Sequence, residues 1–273
     1  MASFEQTTDP GHRLLSDFVA LNDPAGRRRV ERTGGYFVVE GPLAIERLLA
    51  LPRWEIRALA LLPKTVDRLM AAAPERMATL ADRVVVAEAD VMQQVVGFDI
   101  HRGALASVTR APEVIDDATV ASSRLLVVTE QVNDQENLGA IFRNAAAFGV
   151  DAVLTDPTTA DPFYRRSVRV SLGYVLTVPT GRTAPLPAGL DALHALGVTT
   201  VALTTLGSVP LRSLDVAALG PGPVAVVVGA EGHGLTEATI EAATHRVRIP
   251  MADGVDSLNV ATAAAVALHH LQG

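Results

Sequence analysis

Apolar strand-like runs alternate with helical patterns along the C-terminal half of the chain, and this alternation limits the possible folds. The predicted strands are residues 125–130, 152–155, 175–178, 199–203, 224–228 and 247–249, and the predicted helices are residues 138–148, 163–171, 190–196, 237–243 and 258–271. Near-continuous Val, Leu and Ala strands joined by helical crossovers are typical of a parallel sheet that is buried on both faces. The pattern predicts an α/β fold with helices on both faces of the sheet. In such folds, ligands bind beyond the carboxyl ends of the strands.

The N-terminal part reads as a smaller α/β module. Its predicted strands are residues 36–39, 56–62, 84–86 and 104–108, with helical stretches at 42–51 and 65–72. Residues 111–123 are short, polar in places and broken by proline, which is typical of a linker. We therefore predict a domain at 12–110, a linker at 111–123 and a larger domain at 124–273.

Composition restricts the class of protein. The chain has 273 residues, 49% of them hydrophobic, and a net charge of −7, which argues against binding nucleic acid through bulk electrostatics alone. Lys64 is the only lysine, so phosphate recognition would fall to arginine, although a coding sequence rich in G and C gives the same imbalance. The chain has no apolar run long enough to cross a bilayer and no secretory layout at its start, so we expect a cytoplasmic protein without a membrane partner.

Two classes of site are disfavoured by what the sequence lacks. There is no cysteine, and the seven histidines have no metal-ligand spacing, so no metal site is predicted. The glycines of residues 229–234 follow neither the dinucleotide-binding pattern nor the P-loop pattern. A nucleotide-dependent α/β enzyme is therefore a poor interpretation.

A first polar cluster, residues 133–139, leads into a helical pattern. Asn137 is a candidate N-cap, and a capped helix start exposes backbone donors to a phosphate or a carboxylate. Arg143 follows six residues later among apolar neighbours, where a buried arginine would need a partner. An ordinary capped helix with a solvated arginine is the alternative.

A second cluster concentrates positive charge in an acidic chain. Arg165, Arg166 and Arg169 occur at helical spacings, so at least two can share a helix face and donate to an RNA backbone. We predict that these three arginines bind RNA, with a merely solvated helix face as the alternative.

A third cluster lies in the last forty-five residues. Residues 229–234 directly follow an apolar strand, and their glycines allow a tight turn with close backbone approach to a ligand. Pro250 ends the next strand, Ser257 is a natural N-cap for the last helix, and Glu231 is the one carboxylate of the turn. We interpret His233, between glycines, as a solvated side chain. These loops together predict one ligand pocket.

The clusters together resemble the SpoU/TrmH-type RNA ribose methyltransferases, a branch of the SPOUT superfamily. Residues 137–143 are similar to the first motif, residues 228–235 to the second, and Ile-Pro-Met from Ile249 with Ser-Leu-Asn-Val from Ser257 to the third. Residues 36–41 and 103–106 are similar to the L30e-like substrate-binding domain of many members.

The resemblance implies a deep C-terminal trefoil knot, bound S-adenosyl-L-methionine, and a homodimer that builds each active site from two chains. The residues that match the family's catalytic positions are Asn137, Arg143, Glu231, Ser257 and Asn259, and those that match its cofactor-binding positions are Thr204, Gly229, Ile249, Met251 and Leu258. Ala230 departs from the family, which often has asparagine there.

The activity that the resemblance implies is methyl transfer to a ribose 2′-hydroxyl of a structured RNA. The L30e-like domain favours ribosomal RNA over tRNA, because that fold reads structured RNA by shape. A tRNA 2′-O-methyltransferase and a non-catalytic RNA-binding protein that retains the fold are the alternatives. Arg143 is either the base or the residue that positions a substrate phosphate, and its guanidinium stays protonated under ordinary conditions.

Overall fold

The structure, a computed structural model, describes residues 4–23, 34–100, 103–111, 114–207 and 209–272. These residues form two units. The first unit comprises Met1–Pro112 and Phe163–Thr177, and the second comprises Glu113–Pro162 and Val178–Gly273. No helix within the described ranges is both long enough and apolar enough to cross a membrane.

The described residues form twelve strands and ten α-helices. The strands are β1 (Glu5–Thr7), β2 (Tyr36–Glu40), β3 (Ile56–Leu61), β4 (Val84–Ala87), β5 (Ala104–Thr109), β6 (Leu125–Thr129), β7 (Ala152–Thr155), β8 (Thr180–Arg182), β9 (Thr199–Leu203), β10 (Val209–Pro210), β11 (Val224–Val228) and β12 (His245–Arg248). The helices are α1 (Pro42–Leu49), α2 (Pro63–Ala72), α3 (Pro74–Thr79), α4 (Ala89–Val96), α5 (Asp117–Ser122), α6 (Gln135–Ala147), α7 (Arg165–Val170), α8 (Ala188–Ala195), α9 (Glu237–Ala242) and α10 (Val260–Gln272).

The first unit is built on a mixed five-stranded sheet in the order β1-β4-β3-β5-β2. β5 runs antiparallel to both β2 and β3, whereas β4 runs parallel to β1 and β3. The four strands predicted for this part are present. Proline at the first position sets the start of α1 and α2, because it fixes a helical φ where no amide donor is needed.

The second unit is built on a seven-stranded sheet in the order β10-β12-β9-β11-β6-β7-β8. Every paired strand runs parallel to its neighbour, which confirms the parallel sheet predicted from the apolar strands. At the centre, Val228 of β11 lies opposite Thr129 of β6. The carboxyl ends of these two strands therefore meet at the same edge of the sheet.

Both faces of this sheet are covered by helices, as predicted. Leu126 and Val227 belong to one buried cluster with Val120 of α5 and Leu190 of α8. The alternate side chains, such as Val226, are also buried and point to the opposite face. There, α10 packs against α6 and β11.

The predicted strand at residues 175–178 is wrong. Residues Tyr174–Leu176 form a 3-10 turn, in which Leu176 N donates to Gly173 O at 3.0 Å. The strand that follows β7 in the sheet is β8. A short apolar run that is buried on all sides has no periodicity to separate a strand from a helical turn.

Residues 163–177 belong to the first unit, whereas the predicted domain division assigned them to the second domain. Phe163 packs against Phe37 and Trp54, with ring centroids 4.8 and 5.4 Å away. Arg165 forms an ion pair with Glu40 at 3.2 Å. These contacts join the segment to the first unit, because its apolar and charged partners lie on β2 and beside it.

The predicted linker also contains regular structure. α5 occupies residues Asp117–Ser122, and the Asp116 side chain caps it by accepting a hydrogen bond from Thr119 N at 2.7 Å. Val120 is buried in the core of the second unit. Polar residues that indicated a linker therefore lie on the exposed side of a short helix.

Candidate active site

The helix that carries Asn137 is capped by a different residue from the one predicted. Asp134 Oδ1 accepts hydrogen bonds from Glu136 N at 2.7 Å and from Asn137 N at 2.9 Å, so Asp134 is the N-cap of α6. Asn137 lies in the first turn, with only 8% of its surface exposed. Its side chain is thereby available for a partner outside the helix.

That partner is Asn259. Its Nδ2 donates to Asn137 Oδ1 at 2.8 Å and to Glu231 Oε1 at 3.0 Å. One amide group therefore links the start of α6, the loop after β11 and the start of α10.

The other end of the same amide caps α10. Asn259 Oδ1 accepts from Ala261 N at 3.0 Å and from Thr262 N at 3.2 Å. The prediction that Ser257 caps this helix is wrong, because Asn259 lies directly before Val260 and supplies the oxygen at the required distance. The cap fixes the Asn259 side chain and so orients its Nδ2 donors.

The loop at residues 229–235 closes tightly on itself. Gly234 N donates to Ala230 O at 3.1 Å, and these two residues form an isolated antiparallel bridge. A Cβ on Gly229 would lie 2.2 Å from Gly234 C and from Leu235 N, a distance that real Cβ atoms do not reach. Only glycine fits at position 229.

A cavity of about 550 Å³ lies beyond the carboxyl ends of β9, β11 and β12, the edge at which the sequence predicts a ligand pocket. Its volume is in the range of small-molecule and cofactor sites, which is about 300–1,000 Å³. All five predicted cofactor-binding residues line it: Thr204, Gly229, Ile249, Met251 and Leu258. Three of the predicted catalytic residues also line it: Glu231, Ser257 and Asn259.

The cavity wall combines apolar and polar groups. Apolar surface comes from Leu203 and Val228, the last residues of β9 and β11, and from Ile249, which follows β12. Glu231 and Asp256 contribute carboxylates, and Ser257 contributes an exposed hydroxyl. Such a wall suits a ligand with an apolar body and a few polar groups.

Arg143 is not brought to this cavity. It is exposed on α6 and is absent from the cavity lining. Within the described part of the chain, no ion pair or side-chain hydrogen bond holds its guanidinium. The structure therefore assembles Asn137, Glu231, Ser257 and Asn259 in one place and leaves Arg143 facing solvent.

The three arginines predicted to bind RNA belong to α7 in the first unit. Arg165 pairs with Glu40, and its guanidinium lies 4.6 Å from the ring centroid of Phe98. Arg166 is exposed and Arg169 is half-buried. RNA binding by these residues stays a prediction.

Sequence reasoning missed two buried carboxylates. Glu130 directly follows β6, is 3% exposed, and accepts hydrogen bonds from Thr236 N, Thr236 Oγ1 and Thr239 Oγ1 at 2.7–2.9 Å. Asp156 directly follows β7 and is also buried. A carboxylate immediately after a continuous apolar strand is the signal that could have indicated both.

Asp156 holds the turn that leads to Asn137. Its Oδ1 accepts from Gln131 N at 3.0 Å and from Thr159 Oγ1 at 2.6 Å, and Gln131 has a φ of 56°. Burial alone raises the pKa of Asp156, but hydrogen bonds from Thr158, Thr159 and Gln131 outweigh it and hold that pKa below its ordinary value. The carboxylate is thus stabilised in its charged form while it fixes a left-handed residue.

Similarity to known proteins decides the family. The sequence model of the SpoU rRNA Methylase family matches residues 124–269. The chain belongs to this family. It is thus an RNA methyltransferase of the SpoU type, and the resemblance drawn from its three motifs is confirmed.

Two curated relatives of this SpoU-family chain are informative. An uncharacterized tRNA/rRNA methyltransferase of Mycobacterium bovis is 42% identical over 97% of this chain and 90% of its own length. The 23S rRNA (guanosine(2553)-2′-O)-methyltransferase of Bacillus subtilis is 32% identical over 62% of this chain and 64% of its own length.

A solved structure supports the same fold for this SpoU-family chain. An AdoMet-bound rRNA methyltransferase from Sinorhizobium meliloti superimposes with a TM-score of 0.77 at 26% identity, covering 98% of this chain and 97% of that one. The similarity extends over both units. Across the described residues, no group of three or more His, Asp or Glu side chains could hold a metal ion.

Proposed function

We propose that the chain transfers a methyl group from S-adenosyl-L-methionine to the 2′-hydroxyl of a ribose in a structured RNA. The observation that carries this proposal is the cavity of about 550 Å³ at the ends of β9, β11 and β12, which brings together residues of the second and third motifs. The AdoMet-bound Sinorhizobium meliloti relative supports the choice of cofactor.

The residues around the cavity fit such a cofactor. The closed loop at residues 229–235 presents backbone rather than side chain at Gly229, where a Cβ has no room. Leu203, Val228 and Ile249 offer an apolar wall suited to a purine ring, and Glu231 and Asp256 offer carboxylates suited to an ammonium group. Thr204, Met251 and Leu258 would complete the walls that hold it.

When bound, S-adenosyl-L-methionine supplies a methyl group on a positively charged sulfur. The task left to this chain is to place the ribose hydroxyl in line with that group and to favour loss of the hydroxyl proton. Ser257 is exposed at the cavity wall and would orient the ribose. Asn259 would keep Glu231 and Asn137 at fixed positions.

Arg143 would bind a phosphate of the RNA. A guanidinium holds its proton under ordinary conditions and presents two parallel donors that match a phosphate, so positioning suits it better than proton abstraction. Because Arg143 is exposed and outside the cavity lining, we propose a homodimer in which Arg143 of one copy completes the cavity of the other.

A deep trefoil knot at the C-terminus is part of the same proposal. Arg248 Nη1 donates to Gly207 O at 3.0 Å, and a Cβ on Gly207 would lie 2.5 Å from Val247 C. The loop after β9 therefore lies directly on β12. This close approach supports a path in which the residues after β12 thread through earlier loops.

Ribosomal RNA is the proposed substrate class. The Bacillus subtilis relative is named for 2′-O-methylation of 23S rRNA, which favours ribosomal RNA over tRNA. An L30e-like role for the first unit, with Arg165, Arg166 and Arg169 on the RNA backbone, belongs to this proposal.

Two measurements test the function. Isothermal titration should show that the protein binds S-adenosyl-L-methionine, and mapping of 2′-O-methyl sites in total RNA with and without the protein should show at least one site that depends on it. Absence of cofactor binding would overturn the proposed chemistry. Cofactor binding with methylation of a base instead of a ribose would overturn the proposed target, and RNA binding without methylation would indicate a non-catalytic protein.

A further inference from the structure

Glu130 is a buried carboxylate at the carboxyl end of β6 that the proposed reaction does not use. It follows β6, and its backbone N donates to Val228 O at 2.9 Å, so it lies beside the end of β11. No Lys, Arg or His of the described residues forms an ion pair with it. A buried charge without a cation is costly unless hydrogen bonds compensate it.

The compensating hydrogen bonds all come from the start of α9. Thr236 N donates to Glu130 Oε2 at 2.8 Å, and Thr236 Oγ1 and Thr239 Oγ1 donate to Oε1 at 2.9 and 2.7 Å. Thr236 is the N-cap of α9, and its Oγ1 also accepts from Thr239 N at 3.3 Å. Glu130 therefore fixes the first turn of this helix to the end of β6, the strand beside the central strand β11.

The loop at residues 229–235 spans the gap between these two fixed points. It leaves β11 at Val228, beside the Glu130 backbone, and it ends at Thr236, on the Glu130 side chain. Every residue of the loop lines the cavity. One residue thus holds both ends of the loop that forms the cavity wall.

We propose that Glu130 is a positioning residue that holds this loop in the conformation that binds the cofactor. The inference rests on the proposed function. Through Glu231, the same loop reaches Asn259 at 3.0 Å, so a shift of the loop also moves the hydrogen bonds of Asn259. Since Glu130 is absent from the cavity lining, it acts through Thr236 and Thr239 and not on the ligand.

The experiment compares Glu130→Ala, Glu130→Gln and a matched control, Glu237→Ala, which removes an exposed carboxylate from the same helix. Titration with S-adenosyl-L-methionine should give a Kd raised by about tenfold or more for Glu130→Ala, because two or more hydrogen bonds that hold the loop are lost. Glu130→Gln keeps an oxygen acceptor for Thr236 N and should recover part of the affinity. Glu237→Ala should bind as the wild type does.

Kinetic measurements distinguish the positioning role of Glu130 from a purely structural role. At saturating cofactor, the kcat of Glu130→Gln should stay within about threefold of the wild type while its KM for the cofactor rises, because bound cofactor itself orders the loop. Hydrogen exchange should be faster at residues 229–235 in this variant and unchanged at residues 138–148. The positioning role would be overturned if the kcat of Glu130→Gln fell while its KM for the cofactor stayed unchanged. It would also be overturned if hydrogen exchange became faster throughout the second unit.

The two possible failures are distinguishable. If the wild type does not bind S-adenosyl-L-methionine, the proposed function fails. If the wild type binds it and Glu130→Ala binds equally well, only the role of Glu130 fails. Should Glu130→Ala not fold, Thr239→Val, which removes one hydrogen bond to Glu130 Oε1, carries the test: a Kd within experimental error of the wild type contradicts the inference, and a raised Kd supports it.

Discussion

Asn259 Nδ2 donates to Asn137 Oδ1 at 2.8 Å and so joins two residues that are 122 positions apart in the sequence. Both side chains come from the first turn or the cap of a helix, where the backbone limits their movement. At this edge of the sheet, this hydrogen bond therefore adds to the packing of α10 against α6 and to a second link, in which Asn144 Nδ2 donates to Ala261 O at 2.8 Å.

Replacement of Asn259 should separate its two roles. Asn259→Asp keeps the oxygen that caps α10 but replaces the Nδ2 donor by a second acceptor, which faces Glu231 Oε1 and Asn137 Oδ1. We expect near-wild-type thermal stability with a loss of methyl transfer of about 100-fold, since repulsion between two carboxylates displaces the loop. Asn259→Ala should in addition lower the free energy of unfolding by about 1–2 kcal/mol through loss of the cap. Equal activity of Asn259→Asp and the wild type would contradict this assignment.

Gly229→Ala should prevent the closed loop from forming. The added Cβ would meet Gly234 C and Leu235 N at 2.2 Å, and both are backbone atoms that cannot rotate away. We expect cofactor binding to fall below detection by calorimetry. Gly197→Ala is the control, because Gly197 has a positive φ but nothing within 4 Å of its Cβ position, so it tests backbone strain alone at about 1 kcal/mol. Retained cofactor binding by Gly229→Ala would mean that the loop opens without loss of function.

Arg143→Ala should abolish methyl transfer while it leaves the Kd for S-adenosyl-L-methionine within a few-fold, because Arg143 does not line the cavity of its own chain and its proposed ligand is an RNA phosphate, not the cofactor. Arg143→Lys should restore little activity, since a point charge cannot replace a bidentate contact with phosphate. Incorporation of tritiated methyl groups into RNA measures both variants. Unchanged turnover in Arg143→Ala would remove this residue from the catalytic set.

The three arginines of α7 should differ in their effects. Arg166→Ala and Arg169→Ala should each lower the slope of log affinity against log salt concentration for RNA by about 1. Arg165→Ala should chiefly lower stability, because it leaves the buried Glu40 carboxylate without its ion-pair partner. RNA-binding titrations at several salt concentrations, together with thermal unfolding, distinguish these outcomes. A wild-type salt slope in the triple alanine variant would show that the cluster does not touch RNA.

Asp156→Asn should change the response of stability to acid. The folded-state pKa of Asp156 lies below its ordinary value of about 3.9, so its charged form stabilises the fold above about pH 4 and this contribution is lost as the pH falls through the lowered pKa. The difference in free energy of unfolding between the wild type and Asp156→Asn should be about 1–3 kcal/mol at pH 7 and should shrink below pH 4. Guanidinium unfolding at pH 7, 5, 4 and 3 measures it. A difference that is constant across this range would contradict the prediction.

The parallel sheet and the position of the cavity could be predicted from the sequence, because continuous Val and Ala runs such as Val224–Val228 require burial on both faces. Residues 175–178 have a similar composition but form a turn, since composition alone does not decide how an apolar run pairs. The positions that match the family motifs converge on one cavity, apart from Arg143 on its exposed helix face.

The caps and the buried carboxylates were harder to predict. Asp134 and Asn137 are both residue types that cap helices, and so are Ser257 and Asn259. Only backbone geometry shows that Asp134 caps α6 and that Asn259 caps α10. The partner of Glu130 is more than a hundred residues away in the chain, and no local pattern connects it to Thr236. Side-chain hydrogen bonds between distant segments follow from the completed fold.

The return of Phe163–Thr177 to the first unit means that the polypeptide passes from one unit to the other three times. A deletion of the N-terminal residues up to the predicted boundary would remove Phe37 and Trp54, whose rings contact Phe163. It would also remove Glu40, the ion-pair partner of Arg165. The second unit would then carry an unsupported apolar segment in its middle. Aggregation of such a fragment would therefore reflect the exposed segment Phe163–Thr177, which has lost its partners in the first unit, and not a failure of the methyltransferase fold.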